Sequence, residues 1–239
     1  MTEVLDAPRA DAGSAARDAG GPKSMTTEKP KRHTGGRPSQ EEARRRDERL
    51  VEIAARTFMD KGFDATTIDA VAEAASVGKA TLYARYRDKP ALFAAVFQRK
   101  IDLWLAPLSL AATSPASGDV DDVLLSIARA MMASAMAPEA LAISRILIAQ
   151  APRFPDLARL AHQEGWQRSI SALSVVLSQF VADGQLAIAD CDLAADLFLS
   201  LVIGRQTRLA MLGIETAPAQ IDLRIRAAVR LFLDGAKAR

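Results

Sequence analysis

Apolar side chains recur at spacings of three and four residues along most of the chain after residue 38, the period of an α-helix that packs one face against a core. No segment alternates apolar and polar residues with the period of two that a half-buried strand requires. The pattern therefore predicts an all-α protein. Pro, Gly and Asp-Gly positions, Pro107 and Pro138 among them, divide the later part into separate helices. These helices are predicted near 89–106, 119–136, 139–150, 156–183, 190–212 and 218–236.

Three shorter helices are predicted ahead of these. A capping box at Ser39–Glu42 starts the first, and Gly62 ends it, since glycine readily takes the left-handed conformation that closes a helix. Thr66 or Thr67 caps the second, and its apolar stripe is about two turns long. After a short break, helical character resumes over residues 79–86.

Charge is segregated along the chain. Residues 29–100 carry 16 Lys and Arg against 10 Asp and Glu, a net charge of +6, whereas residues 101–239 carry 12 against 14, a net charge of −2. A basic module ahead of a mildly acidic one suits a protein that presents one end to a polyanion, although an uneven solvated surface fits as well. Residues 1–38 contain almost no large apolar side chain, which predicts a disordered basic arm.

Several functional classes fit the sequence poorly. One cysteine, Cys191, excludes an intramolecular disulfide and fits a reducing compartment. The chain has two histidines, His33 and His162, and no metal-ligand spacing, phosphate loop or nucleophile elbow. The longest strongly apolar stretch, 197–204, is far shorter than a membrane span, which needs about 20 residues. We expect a cytoplasmic protein with no cofactor, no metal and no enzymatic activity.

The second and third short helices, joined by a tight turn, match the geometry of a helix-turn-helix, in which the later helix enters the DNA major groove. A helical hairpin inside a bundle has the same outline, so the geometry leaves both open. The run 67–93, with its Lys79-x-Thr-Leu-Tyr motif, resembles the DNA-binding domain of the TetR/AcrR family of bacterial transcriptional regulators. The resemblance covers residues 37–97. It departs from the family at Ser76, where Gly is usual, and at Gly78, where Ser is common.

The resemblance implies a set of DNA contacts. Lys79 and Thr81 are the candidates for reading base edges, and Tyr83 is the candidate for contacting a phosphate. Arg37 would enter the adjacent minor groove, although a linker that only releases counterions fits this position equally well. The predicted DNA-binding residues are Arg37, Thr66, Thr67, Gly78, Lys79, Ala80, Thr81, Tyr83, Tyr86 and Lys89.

The larger half of the chain has the length of a helical bundle. Its residues 141–204 resemble the AefR-like effector and dimerisation domain of the same family. That resemblance implies a small-molecule pocket inside the bundle and a dimer interface on the last two long helices. The predicted domains are the arm at 1–38, a helix-turn-helix domain at 39–100 with its motif near 67–86, and an effector and dimerisation domain at 101–239.

Residue types and spacing supply candidates for both features. Aromatic, methionine and polar side chains could line the pocket, although such residues more often build a core. The pocket candidates are Trp104, Met132, Ile146, His162 and Trp166. Apolar stripes on the last two helices fit either an interface or a core. The interface candidates are Leu197, Leu201, Ile221, Ile225 and Phe232.

The sequence as a whole predicts a transcriptional regulator. It favours a repressor and leaves an activator open. We expect a homodimer that binds a pseudo-palindromic double-stranded DNA operator and is released by a small apolar or aromatic effector. An all-α ligand carrier or enzyme with a non-specific nucleic-acid anchor is the alternative. An architectural DNA-binding protein without an effector is a third reading.

Overall fold

The computed structural model describes residues 40–114 and 118–237 and confirms the all-α fold. Every element in these ranges is helical apart from one isolated bridge between Leu186 and Lys237. The predicted arm at 1–38, with Arg37, and the predicted cap Ser39 lie outside the described residues. In the described part of the chain no single helix has the length and apolar composition of a membrane span; two consecutive helices, 120–136 and 138–150, reach them only as a pair bent by 64°.

The order of the elements follows the predicted pattern closely. They are α1 (Gln40–Ala65), α2 (Ile68–Ala74), α3 (Lys79–Arg85), α4 (Lys89–Thr113), α5 (Val120–Met136), α6 (Pro138–Gln150), α7 (Pro155–Ala161), a π-helical turn (His162–Gln167), α8 (Arg168–Ala182), α9 (Cys191–Met211) and α10 (Pro218–Ala236). Side-chain caps begin four of these helices by accepting a first-turn backbone N–H. The capping residues are Thr67, Asp88, Asp119 and Asp190.

A first core holds α1 to α4 together. The Phe93 ring lies edge-on to Phe58 at 5.0 Å and to Phe63 at 5.7 Å between ring centroids. Gly62 has φ 76°, so α1 bends where the sequence predicted its end. Leu82 is fully buried and anchors α3 to this core, a burial that stabilises the fold by roughly 2 kcal/mol. Because α6 and α7 also contribute to this cluster, the first core extends beyond the four N-terminal helices.

A second core lies among α5, α8, α9, α10 and the later part of α4. Helix α4 spans both clusters, with Phe93 in the first and Leu105 and Leu108 in the second. The predicted break at Pro107 is wrong, since α4 continues through it to Thr113. Burial of Leu105 and Leu108 on either side offsets the roughly 3 kcal/mol that an interior proline costs.

The segment predicted as one helix at 156–183 is divided. The π-helical turn His162–Gln167 separates α7 from α8, and hydrophobic periodicity does not encode such a local change of register. Gly165 lies in this turn, and a Cβ atom there would be 3.5 Å from Cζ of Phe97. That distance is an ordinary van der Waals contact, so the π-helical turn packs closely on α4 and has room for a methyl group at this position.

Candidate functional site

The α2–α3 unit has the compact turn of a helix-turn-helix. Its closing hydrogen bond runs from the Val77 backbone N–H to the Ala72 carbonyl at 2.9 Å. Ser76 takes the left-handed conformation in this turn, with φ 53°. That conformation is unfavourable for a residue with a Cβ atom, and the family pattern has Gly at this position. The turn is therefore closed despite the departure from the pattern.

The structure leaves six of the predicted DNA-binding residues exposed. They are Thr67, Gly78, Lys79, Ala80, Thr81 and Tyr83. Thr67 caps α2, its Oγ1 accepting the Ala70 N–H at 3.1 Å, and Gly78 is the N-cap residue of α3. Since α3 carries the side chains of Lys79, Thr81 and Tyr83 into solvent, these side chains are available to a partner, and their contact with DNA stays a prediction.

Three other predicted residues point into the protein. Thr66 is fully buried, and its hydroxyl donates to the Gly62 carbonyl at 2.7 Å. Tyr86 is also in the core, where burial raises the pKa of its phenol. Lys89 Nζ donates to the Phe63 carbonyl at 2.7 Å. Thr66 and Lys89 therefore satisfy carbonyls near the bend in α1 and Tyr86 fills the core, and a DNA contact by any of the three stays a prediction.

Two carboxylates from neighbouring helices form ion pairs with α3 near its two ends. Lys79 Nζ donates to Asp69 Oδ2, and Arg85 Nη2 donates to Asp47 Oδ2. The first contact raises the pKa of Lys79 and lowers the pKa of Asp69. Neither acid was among the predicted residues, because each lies ten or more positions from its partner and outside any helical pair spacing.

A cavity of about 400 Å³ lies between α4, α5, α6, the π-helical turn and α9. Apolar and aromatic side chains dominate its wall, together with serine and threonine hydroxyls and one histidine. No Asp, Glu, Lys or Arg is among the described residues that line it. The lining residues include Phe97, Ile101, Trp104, Met131, Ser134, Ser144, Leu147, Ile148, His162, Trp166, Ser169, Thr207 and Met211.

The structure brings three of the five pocket candidates to this cavity, namely Trp104, His162 and Trp166. Met132 is buried in the second core, and Ile146 packs against the first core. Their sequence neighbours, Met131 and Leu147, line the cavity instead. A shift of one residue turns a side chain by about 100° around a helix, so residue type alone could not choose between neighbours.

Polar contacts tie the cavity wall to other helices. Trp166 Nε1 donates to Asp196 Oδ1 of α9 at 2.7 Å. Lys100, next to the cavity residue Ile101, is only 4% exposed, and its Nζ donates at 2.9 Å to one oxygen each of Glu52 and Glu139. Burial favours a lower pKa for Lys100, but the two carboxylates outweigh it and raise the pKa. This buried ion cluster joins α1, α4 and the first turn of α6.

Apart from the cavity, an exposed apolar surface lies on α9 and α10. Leu193, Leu197 and Leu201 are exposed at spacings of four on α9. On α10 the exposed large apolar side chains are Leu223 and Leu231, which were not among the interface candidates.

The three candidates on α10 contact the second core to different degrees, and their part in a dimer interface stays a prediction. Ile225 is buried and Ile221 packs against the second core. The Phe232 ring lies edge-on to Phe198, with centroids 5.0 Å apart. The periodic stripe on α10 was therefore its core face, and the exposed leucines lie elsewhere on the same helix.

Two protein families match the chain in separate segments. Residues 50–96 match the family described as bacterial regulatory proteins, tetR family. Residues 122–235 match the family described as AefR-like transcriptional repressor, C-terminal domain. The first segment contains the α2–α3 unit, and the second contains most of the helices around the cavity.

Individual relatives give the same picture. The HTH-type transcriptional regulator RutR of Escherichia coli is 39% identical over 59 residues, which is 25% of this chain and 28% of the length of RutR. The structure of the flavonoid-responsive regulator FrrA is similar with a TM-score of 0.68 and 31% identity, covering 82% of this chain and 98% of FrrA. A candidate TetR-family regulator from Mesorhizobium loti has the same fold, with a TM-score of 0.77, 24% identity and the same two coverages.

Proposed function

The chain belongs to the TetR family of bacterial transcriptional regulators, and on that premise we propose that it is an effector-released repressor. In this proposal a homodimer binds a pseudo-palindromic operator, and a small molecule in the cavity of about 400 Å³ releases the DNA. The observation that carries the proposal is that α4 runs unbroken from the α2–α3 unit to the cavity wall. Such a regulator acts in the cytoplasm, where bacterial DNA is.

The DNA-facing element in this proposal is α3. Lys79 and Thr81 have the donors that read guanine or other base edges in the major groove, and Ala80 permits close approach to a thymine methyl. Tyr83 and Thr67 supply hydroxyls for phosphates, which position the protein without specifying sequence. Together the exposed residues provide both kinds of contact that operator recognition needs.

Homodimerisation through α9 and α10 is supported by the exposed leucines. Leu193, Leu197 and Leu201 present an apolar stripe that a folded monomer leaves in water, and Leu223 and Leu231 extend the apolar surface to α10. A two-fold dimer presents two copies of α3, which recognise half-sites about one DNA turn, or roughly 34 Å, apart. The proposed operator is accordingly two-fold symmetric.

The wall of the cavity selects the class of effector. A volume of about 400 Å³ is within the range of small-molecule sites, and the described lining carries no charged side chain to pair with a charged ligand. Trp104 and Trp166 offer flat aromatic surfaces, while Ser134 and Ser144 offer hydroxyls. The relative FrrA is flavonoid-responsive by its description, which supports an uncharged, hydroxyl-bearing aromatic effector.

A physical route connects the two sites. An effector that displaces α6 also moves Glu139, whose carboxylate shares Lys100 with Glu52 of α1. The ligand needs only to favour a state of the dimer in which the spacing of the two α3 helices no longer matches the spacing of the two DNA half-sites. A coupling free energy of about 1 to 3 kcal/mol is enough to shift the populations.

The cavity residues make effector binding directly observable. Both tryptophans of the chain, Trp104 and Trp166, line the cavity, so tryptophan fluorescence reports its occupancy. Uncharged flavonoids should quench this fluorescence, whereas analogues that carry a carboxylate on the same ring system should not. Equal quenching by both series would contradict the proposed effector class.

Selection of random duplex DNA on the purified chain, followed by sequencing, tests the DNA-binding part of the proposal. Enrichment of a two-fold symmetric motif is the expected result. Binding without any enriched motif would instead support the alternative of a ligand carrier with a non-specific nucleic-acid anchor.

A further inference from the structure

An acidic side chain stands beside the proposed base-reading residue. Asp69 lies in the first turn of α2. Its carboxylate forms an ion pair with the Lys79 ammonium across the turn between α2 and α3. Both side chains remain in contact with solvent, Asp69 at 44% and Lys79 at 65% exposure. We propose that Asp69 is a positioning residue that sets DNA specificity, holding Lys79 in one orientation and opposing phosphates in misaligned complexes. This inference rests on the proposed function.

The first part of the argument concerns the freedom of Lys79. A lysine side chain carries about 2 kcal/mol of rotamer entropy, and most of that freedom is lost when it contacts one base edge. Asp69 is fixed in the first turn of a capped helix, and its second carboxylate oxygen, Oδ1, is shielded from solvent. The ion pair therefore favours one orientation of the lysine before DNA arrives, which lowers the entropy cost of ordering Lys79 in the complex.

The second part concerns charge. Non-specific binding comes almost entirely from phosphate neutralisation, and a carboxylate on the binding surface weakens every complex of that kind. The operator complex additionally contains the base contact for which Lys79 is pre-oriented. One carboxylate therefore weakens non-specific binding and supports specific binding, which raises the ratio of the two affinities.

A structural role does not account for the pair. Exposed ion pairs contribute little to the free energy of unfolding, and α2 and α3 are already joined by the buried Val71, Ala72 and Leu82. The effect of Asp69 is accordingly expected in DNA selection rather than in folding.

The same helix offers a matched control. Glu73 is exposed one turn after Asp69, acts on Lys79 only through space and makes no hydrogen bond to it among the described contacts. Asp69→Asn and Glu73→Gln each remove one negative charge from α2. Only the first also removes the carboxylate that contacts Lys79 and, more weakly, Tyr83. A difference between the two variants therefore separates these contacts from the loss of one negative charge, and the Lys79→Ala background isolates the part that depends on Lys79.

The test measures dissociation constants of wild type, Asp69→Asn and Glu73→Gln for the selected operator and for a scrambled duplex over a range of salt concentrations. Both variants should bind the scrambled duplex more tightly than wild type. Asp69→Asn should lower the operator-to-scrambled affinity ratio by about tenfold, the discrimination of one well-oriented base contact, while Glu73→Gln leaves the ratio near that of wild type. In a Lys79→Ala background, Asp69→Asn should no longer change the ratio beyond the Glu73→Gln control.

Two results would overturn the inference, and they are distinguishable. A selective wild type with the same ratio in both single variants would contradict the role of Asp69 alone. Equal affinity of wild type for the operator and the scrambled duplex would contradict the proposed function, and the inference would fail with it.

Discussion

At the scale of single residues, Ser76 has an unusual backbone conformation. Within the described ranges, every other residue with a positive φ is a glycine. Its left-handed backbone strains the turn between α2 and α3, because the Cβ atom crowds the following carbonyl. The strain falls on the segment that aligns the proposed recognition helix. The strain therefore lowers the free energy of unfolding, and a glycine at this position would remove it.

We expect Ser76→Gly to raise the free energy of unfolding by about 0.5 to 1 kcal/mol, since relief of strain exceeds the added entropy of the unfolded chain. Urea unfolding measures this change. As a control, Ser126→Gly in the middle of α5, where the backbone is regular, should lower stability by about 0.5 kcal/mol. A loss of stability at Ser76 like that at Ser126 would contradict the assigned strain.

The sequence was better at indicating which residues belong to the α2–α3 unit than at indicating what each side chain contacts. The sequence placed Lys79, Thr81 and Tyr83 among the DNA-binding candidates, and the structure leaves all three exposed on α3. It also marked Thr66 and Lys89, which the structure assigns to carbonyls at the end of α1. Those carbonyls are freed by the bend in α1, and which side chain reaches them depends on the packing of α4 against α1, which no local pattern encodes.

At the scale of elements, Lys100 connects three helices through charge. Its ammonium is buried, and it lowers the pKa of Glu52 on α1 mainly by hydrogen bonding to that carboxylate. A carboxyl group with a lower pKa in the folded state contributes stability above its unfolded value, here 4.5, and that contribution is lost as pH falls through the folded value. The cluster therefore makes part of the stability depend on pH in the acid range.

We expect Lys100→Met to be less stable than wild type at pH 7 and to lose less stability between pH 6 and pH 3. The difference arises because Glu52 titrates near its ordinary pKa once the lysine is absent. Urea unfolding of both proteins across this range is the measurement. The other carboxyl groups are common to both proteins, so parallel stability curves would contradict the assigned ion cluster.

Helical periodicity accounted for most elements, and its failures have physical causes. Helix α4 passes through Pro107 because leucines on either side are buried. The π-helical turn at His162–Gln167 alters the backbone hydrogen-bond pattern but hardly alters the spacing of apolar residues, so periodicity does not reveal it. Both deviations lie on helical segments that contribute to the cavity wall, so this wall was difficult to predict from the sequence.

At the scale of the whole molecule, the sequence could not separate a core face from an interface face. Both are apolar stripes with helical period, and only the partner of each stripe differs. The structure buries Ile225 within the chain itself and leaves Leu197 58% exposed. The exposed stripe on α9 is therefore the surface on which a dimer would depend.

We expect Leu197→Glu to shift the protein to a monomer in sedimentation and to weaken operator binding more than tenfold, since two half-sites would no longer be held together. The monomer should stay folded, because the exposed Leu197 side chain contributes little to the hydrophobic core of the chain. Leu110→Glu, which changes an equally exposed leucine on α4, should leave the sedimentation unchanged. Wild-type sedimentation of Leu197→Glu would contradict the proposed interface.

The ratio of equilibrium affinities for the selected duplex and its scrambled counterpart, measured at physiological salt, tests the central claim most directly. The account predicts a ratio of about 10³ or more, as found for sequence-specific regulators. It also predicts that the ratio falls when Lys79 and Thr81 are replaced by alanine. A ratio near one would contradict the account and leave the α2–α3 unit as a non-specific anchor.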